Sequence, residues 1–289
     1  MRSLNSSRVQ SVHTVLAQRT TICASIVLQL IICQLLTCQQ ALAQEWAKTS
    51  LEKSPRHLEF IDITSGKRKL KCFVAYPEVK GKATAVLVIH EIFGLTDWVR
   101  SVADQLAARG YIAIAPDLLS GVAPGGGGTA ELGGDDKARR EIAKLTPTGI
   151  TSDLDAAAKY VSALPACNGK LVVSGFCWGG KQTFDYANKN KNLKAAYPFY
   201  GTGPSKKDEV VNIGCPVYGF YAERDSRVGA TLPDTIKVMK EAKKTFEPVT
   251  YAGSSHGFMR EGESPNSSPE NAKAKNDAWK RWEGLLKKI

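Results

Sequence analysis

Hydrophobic and polar positions along the chain fall into two rhythms. Over 57–64 and 70–76 apolar and polar residues alternate, with Ser65-Gly66-Lys67-Arg68 between the two stretches. That pattern predicts an antiparallel hairpin at a sheet edge. After a break at Lys80-Gly81-Lys82, the runs Ala85-Val86-Leu87-Val88-Ile89 and Tyr111-Ile112-Ala113-Ile114-Ala115 have no polar face at all. Strands of that kind are buried on both sides, as in a parallel sheet covered by helices. Further strands are predicted over 171–173, 195–200, 216–223 and 246–251. Helical segments are predicted between strands over 97–109, 151–164, 180–191 and 233–243. A last helix is expected over 272–287, where Trp279, Trp282 and Leu286 form an apolar face at helical spacing, read as core packing. The succession predicts an α/β fold: a mostly parallel central sheet with helices on both faces and an antiparallel N-terminal edge hairpin.

Residues 1–43 stand apart from this rhythm. They carry Arg2, Arg8 and Arg19, no acid, an apolar run over 22–36, and Ala41-Leu42-Ala43. This is the pattern of a secretory signal, so cleavage near Ala43 and export of a single domain over 44–289 are expected. The apolar run, interrupted by Gln29 and Gln34, is short for a spanning helix, and no stable membrane insertion is expected after cleavage. Without its three arginines the net charge drops from +11 to +8. The basic residues are scattered, and no basic stripe with interleaved aromatics points to nucleic acid. A monomer is expected.

Cys72, Cys167, Cys177 and Cys215 remain beyond the signal, too few for a disulfide scaffold. A pair among Cys72, Cys167 and Cys215 stays open, with small core residues the preferred reading. The glycine-rich segment 121–134 lacks the lysine and the placement of a phosphate loop and reads as a mobile lid or a plain flexible loop.

The chemistry concentrates at Gly175-Phe176-Cys177-Trp178-Gly179, a G-x-C-x-G between an apolar strand and a helical stretch. It reads as a nucleophile elbow with sulfur in place of oxygen. A strand-to-helix turn this tight admits only glycine at its flanks and presents the central side chain at the positive end of the following helix, which favours a negatively charged sulfur. A nucleophile needs a base, and the base needs an orienting acid. Asp225 follows the strand ending Tyr221-Ala222-Glu223, and His256 lies in the loop Gly253-Ser254-Ser255-His256-Gly257 after the final strand. The order nucleophile, acid, histidine is that of α/β-hydrolases, whose sites lie at the carboxyl ends of parallel strands. Taken singly, Asp225 reads as a helix cap and His256 as a loop or core residue.

The chain resembles the dienelactone hydrolase family over nearly all of 44–289. The residues that carry the resemblance are His90-Glu91-Ile92-Phe93-Gly94-Leu95, Arg109-Gly110-Tyr111 with Ala115-Pro116-Asp117-Leu118, the elbow over 175–180, Asp225, and Ser255-His256-Gly257-Phe258 with Arg260. The resemblance implies a Cys177, His256 and Asp225 triad, with Glu91 contacting the resting thiol and taking its proton when substrate arrives. The backbone N–H groups of Ile92 and Trp178 are expected to form the oxyanion hole. Arg260, with either Arg139 or Arg140, is expected to hold a substrate carboxylate.

Cleavage of an ester or lactone through a thioester is therefore expected, on a small-molecule substrate and with no metal or organic cofactor. A thioesterase or general carboxylesterase remains the alternative within enzymes. A scaffold that binds a small carboxylate or an envelope partner without turnover is the alternative outside them.

Overall fold

In the computed structural model, which describes residues 44–289, eight strands form a single sheet in the order β1-β2-β4-β3-β5-β6-β7-β8. The expected signal segment lies outside the described residues. Strands β1 (Leu58–Ser65) and β2 (Arg68–Ala75) make the antiparallel edge hairpin, and β2 also runs antiparallel to β4 (Ile112–Pro116). From there on the sheet is parallel: β4 pairs with β3 (Ala83–Ile89), then come β5 (Cys167–Phe176), β6 (Ala196–Phe199), β7 (Val217–Ala222) and β8 (Phe246–Tyr251). The predicted fold class is the observed one.

The two rhythms of the sequence have visible causes. Every residue of β3 and β4 is buried, whereas β1, at the sheet edge, alternates. Ala85, Leu87 and Ile89 of β3 face a cluster that includes Leu154 and Val161. Those two come from a helix over Pro147–Ala163. Elsewhere the sheet carries an aromatic stack, in which Phe199 lies 4.1 Å from Phe220 and 4.7 Å from Phe176 between ring centroids, with Trp282 edge-on to Phe199 at 4.9 Å. Trp282 belongs to the last helix, and it is fully buried, with Trp279 stacked on it at 4.8 Å. The apolar stripe of that helix is core.

Nine helices accompany the strands among the described residues. They are α1 (Glu45–Glu52), α2 (Asp97–Ala108), α3 (Asp135–Ile142), α4 (Pro147–Ala163), α5 (Trp178–Ala187), α6 (Ser226–Gly229), α7 (Leu232–Glu241), α8 (Phe258–Glu261) and α9 (Pro269–Leu286). Both α4 and α9 begin earlier than their apolar periodicity suggests. In each, a hydroxyl caps the first turn just before a proline: Thr146 accepts from the Gly149 N–H and Ser268 from the Asn271 N–H. A proline at the first helical position needs no N–H partner, so the cap starts the helix ahead of its buried face. The four-residue helices α6 and α8 are too short to show any periodicity, and they carry Arg227 and Arg260.

Cys72, Cys167 and Cys215 are buried and unpaired, in line with the core reading. The glycine-rich segment is pinned rather than loose at its centre. Asp117 accepts hydrogen bonds from the Thr129 N–H and hydroxyl, both at 2.7 Å, and that hydroxyl accepts the Leu95 N–H. The segment is thereby tied to the loop after β3, and the expectation of a free lid is corrected at Thr129.

Candidate active site

The site is assembled from the ends of four strands. Cys177, immediately after β5, takes φ 56° and ψ −116°, a conformation uncommon for any residue with a Cβ. Its flanks must be glycine. A Cβ on Gly175 would lie 2.2 Å from the Gly179 carbonyl oxygen, and one on Gly179 would lie 2.4 Å from that of His90. The chain can therefore fold from β5 straight into α5 only because both side chains are missing, and the fold leaves Sγ half-exposed at the sheet's carboxyl edge.

Asp225 caps α6, with Oδ1 accepting the Val228 N–H at 3.2 Å. Its Oδ2 lies 2.5 Å from Nδ1 of His256. Cap and orienting acid, alternatives in the sequence, are two uses of one carboxylate. Because β7 and β8 are neighbours, the loops carrying Asp225 and His256 lie side by side. They are stitched together by the Arg224 N–H on the Ser254 carbonyl and the Gly253 N–H on Glu223. From α9, Asn271 accepts the Ser255 N–H at 2.9 Å, and Tyr200 packs edge-on to the His256 ring at 5.2 Å. His256 Nε2 then lies 3.1 Å from Cys177 Sγ. Burial pushes the imidazolium of His256 down, but its hydrogen bonds to Asp225 and Cys177 outweigh this and raise it to about 9. Burial likewise pushes Asp225 up, and the His256 contact turns the net shift downward.

Glu91 departs from expectation. It is 1% exposed, and its Oε2 accepts from Nε of Arg260 at 2.9 Å, while the thiol bonds to His256. The expected Glu91 contact with the thiol is thus not made. A buried carboxylate gains more from a charge-assisted bond to a guanidinium than from a neutral thiol. Burial pushes Glu91 up, and Arg260 offsets only part of that.

Arg260, expected to hold a substrate carboxylate, is paired here with Glu91 and also contacts Glu261 at 2.7 Å. Arg139 does reach the site, over the Phe93 ring at 4.8 Å. Arg140, the other candidate, is not among the pocket-lining residues, because consecutive helical positions point about 100° apart.

Cys177, His256, Glu91, Ile92, Trp178, Arg139 and Arg260 all line one pocket of about 570 Å³. The Trp178 N–H is the first of α5 and has no intrahelical acceptor. Ile92 is placed by a buried neighbour, His90. The Leu118 N–H donates to its Nε2 at 3.3 Å, so Nδ1 carries the proton and donates to the Glu91 carbonyl at 2.7 Å. Sequence reasoning missed Phe93, Lys181, Thr202 and Arg227 as pocket residues. Lys181 alone left a signal, at one helical turn beyond Cys177.

Removing Arg260 tests the Glu91 pair. Arg260→Ala leaves a carboxylate buried without a partner, which typically costs about 3 kcal/mol. The loss is expected to be larger at neutral pH than in acid and to shrink as Glu91 is protonated, because Glu91 then no longer needs a cation. Urea denaturation at pH 7 and pH 4.5 reads it.

A strand–turn–helix that raises a thiol at its apex, met by a histidine and an aspartate from the two last parallel strands, defines an α/β-hydrolase. The chain belongs to the dienelactone hydrolase family, which matches residues 70–289. It is 29% identical over 245 residues to a Yersinia pestis protein named "Putative carboxymethylenebutenolidase", covering 80% of this chain and 88% of that one. A Methylorubrum extorquens protein of the same name is 30% identical over 224 residues, covering 73% and 74%. The solved structure of a Klebsiella pneumoniae protein named "Putative Dienelactone Hydrolase" superposes with a TM-score of 0.71 at 26% identity, covering 81% of this chain and 99% of that one. The protein is accordingly a hydrolase acting on a lactone or ester.

Proposed function

We propose that Cys177, His256 and Asp225 act as a catalytic triad that cleaves an ester or lactone through a thioester. The observation that supports this best is the continuous chain Asp225 Oδ2, His256, Cys177 Sγ, with steps of 2.5 and 3.1 Å, opening into the pocket. The imidazolium favoured by His256 is the partner a thiolate needs. Sγ attacks the carbonyl carbon, and the oxyanion is held by the N–H groups of Ile92 and Trp178. The C–O bond then breaks as His256 Nε2 gives its proton to the departing oxygen. In a lactone that oxygen stays tethered to the acyl group. Neutral His256 next takes a proton from water, whose oxygen attacks the thioester, and the carboxylic acid leaves as Sγ regains its electron pair. Asp225 keeps Nδ1 protonated throughout. Glu91, turned to Arg260, leaves the thiol to His256 in this arrangement.

Incubating the protein with a neutral aryl acetate tests the reading. Release of the phenol with transient gain of one acyl group at Cys177, seen by intact mass, is expected. A protein that only binds carboxylates gives no product.

The titration of His256 has its own signature. A group raised from 6.5 to about 9 contributes stability that is complete below pH 6.5 and is lost as pH rises through 9. The stability difference between the protein and its Asp225→Asn variant is therefore expected to narrow from pH 6.5 to pH 9.5. The His256 ring resonance is expected to titrate near pH 9.

Export is proposed on the signal pattern of residues 1–43. The protein recovered from its native source is expected outside the cytoplasm without detergent, with a mass that begins at or near Gln44. A mass that includes 1–43 means the segment stays on as an anchor.

A further inference from the structure

The pocket has cations on two opposite walls, and only one wall was anticipated. The strand order β3-β5-β6-β7 puts the Cys177 end of β5 between them. The loop after β3 lies on one side. There Arg139 and Arg260 both sit over the Phe93 ring, at 4.8 and 5.4 Å. Arg260 is committed to Glu91 and Glu261, while Arg139 has only a loose contact of 3.9 Å with exposed Asp136. On the other side are the loop after β6 and helix α6 after β7, which bring Thr202 and Arg227 to the same pocket, and Lys181 joins them from α5.

The backbone beneath this second wall is held in place, and Lys181 and Arg227 stand exposed at its rim. Gly201 lies so close to α5 that a Cβ on it would meet the Lys181 backbone nitrogen at 2.4 Å. The Gly203 N–H donates to the Thr231 hydroxyl, which in turn donates to the Val228 carbonyl beside Arg227. Among the described residues Arg227 makes no ion pair within 4.0 Å, and Lys181 pairs only with Asp185 on its own helix. The one carboxylate lining the pocket, Glu91, belongs to the first wall and is already neutralised. Adjacent strands are about 4.8 Å apart, so Arg227, in α6 just after the second strand from β5, is within side-chain reach of a group a few bonds from the scissile carbonyl.

We infer that Lys181, Thr202 and Arg227 form a second anion subsite, so that the preferred substrate carries a carboxylate on each side of its scissile carbonyl. The inference rests on the hydrolase reading above. Arg227 supplies the forked donor that fits a carboxylate, Thr202 a hydroxyl, and Lys181 a mobile charge. A substrate with one carboxylate uses one wall, and a substrate with two is drawn taut across Sγ.

Four aryl esters separate the walls: an aryl acetate, an aryl hemisuccinate, a carboxyaryl acetate and a carboxyaryl hemisuccinate. The doubly charged ester is expected to have the highest kcat/KM. In Arg227→Gln its advantage over the neutral ester is expected to fall roughly ten- to a hundredfold, the usual worth of a charge-assisted hydrogen bond, with a smaller fall in Lys181→Gln. Arg139→Gln is expected to penalise the singly charged ester that Arg227→Gln spares. An unchanged advantage in both Arg227→Gln and Lys181→Gln overturns the subsite, as does an equal loss on all four esters. Calorimetric binding of glutarate, against acetate as control, to Cys177→Ala with and without Arg227→Gln decides the same question without turnover. If no ester is hydrolysed but glutarate binding depends on Arg227, the hydrolase reading fails and the subsite stands.

Discussion

Replacing Cys177 by alanine is expected to lower kcat on an aryl ester by about 10⁴-fold or more and to leave the protein folded. The magnitude follows from the proposed chemistry, in which the nucleophile and base act as a unit, so that loss of either member removes nearly all that the triad supplies. The fold survives because Sγ is half-exposed at the turn and the substitution removes one atom that packs little. The backbone of Cys177 is held from both sides: its N–H donates to the Phe199 carbonyl at 3.0 Å, and its carbonyl accepts the Gly180 N–H at 3.0 Å. Alanine keeps both bonds and tolerates the φ of 56° no worse than cysteine does. Cys177→Ser is also expected to be strongly impaired, since a hydroxyl is a far weaker acid than a thiol and does not form the ion pair with His256 that the raised imidazolium favours. Circular dichroism with ester turnover checks both variants. Retained turnover in a folded alanine variant removes the covalent route.

The largest expected effect on stability comes from a single methyl group. Gly179→Ala puts a Cβ 2.4 Å from the His90 carbonyl oxygen, 2.5 Å from that of Ile89 and 2.9 Å from the Ile89 carbonyl carbon. All three contacts are to backbone at the end of β3, where Ile89 is paired with Gly175 in the β3/β5 ladder. No rotamer relieves them, so α5 and β3 have to part by roughly an ångström, close to the 3.3 Å of an ordinary carbon–oxygen contact. Overpacking of this kind usually costs about 1 to 3 kcal/mol, and a clash with backbone lies at or above the top of that range. For a domain of this size the melting temperature is expected to fall by roughly 6 to 12 °C. Activity is expected to fall as well, because α5 begins at Trp178 and β3 leads into the loop that carries Ile92, the two residues whose N–H groups the proposed mechanism uses. A urea midpoint shift worth less than about 1 kcal/mol contradicts the close approach.

Particular elements show what was legible. The fully apolar runs that became β3 and β4 announced their burial on both faces, since a strand without a polar side has nowhere else to go. The elbow was legible because its glycines are steric necessities. Asp225 and His256 were legible through their order and their positions after strands. The early starts of α4 and α9 are written in Thr146-Pro147 and Ser268-Pro269, cap signals that apolar periodicity does not register.

The chain by itself determined the strand and helix succession, the place of the thiol at a strand end, and the identity of its two partners. All three follow from local rules: periodicity, turn sterics, and the tendency of parallel strands to gather their following loops at one edge. Which side chains pair across that edge was decided only by the tertiary structure. Glu91 and Arg260 lie 169 positions apart, and each had a plausible partner nearer the chemistry, the thiol for one and a substrate carboxylate for the other. Burial of Glu91 made the guanidinium the better partner, a matter of desolvation that no spacing in the sequence encodes. The same holds for Arg227, an exposed residue whose place at the pocket follows only from the setting of β7 two strands from β5 and from the four-residue helix that carries it.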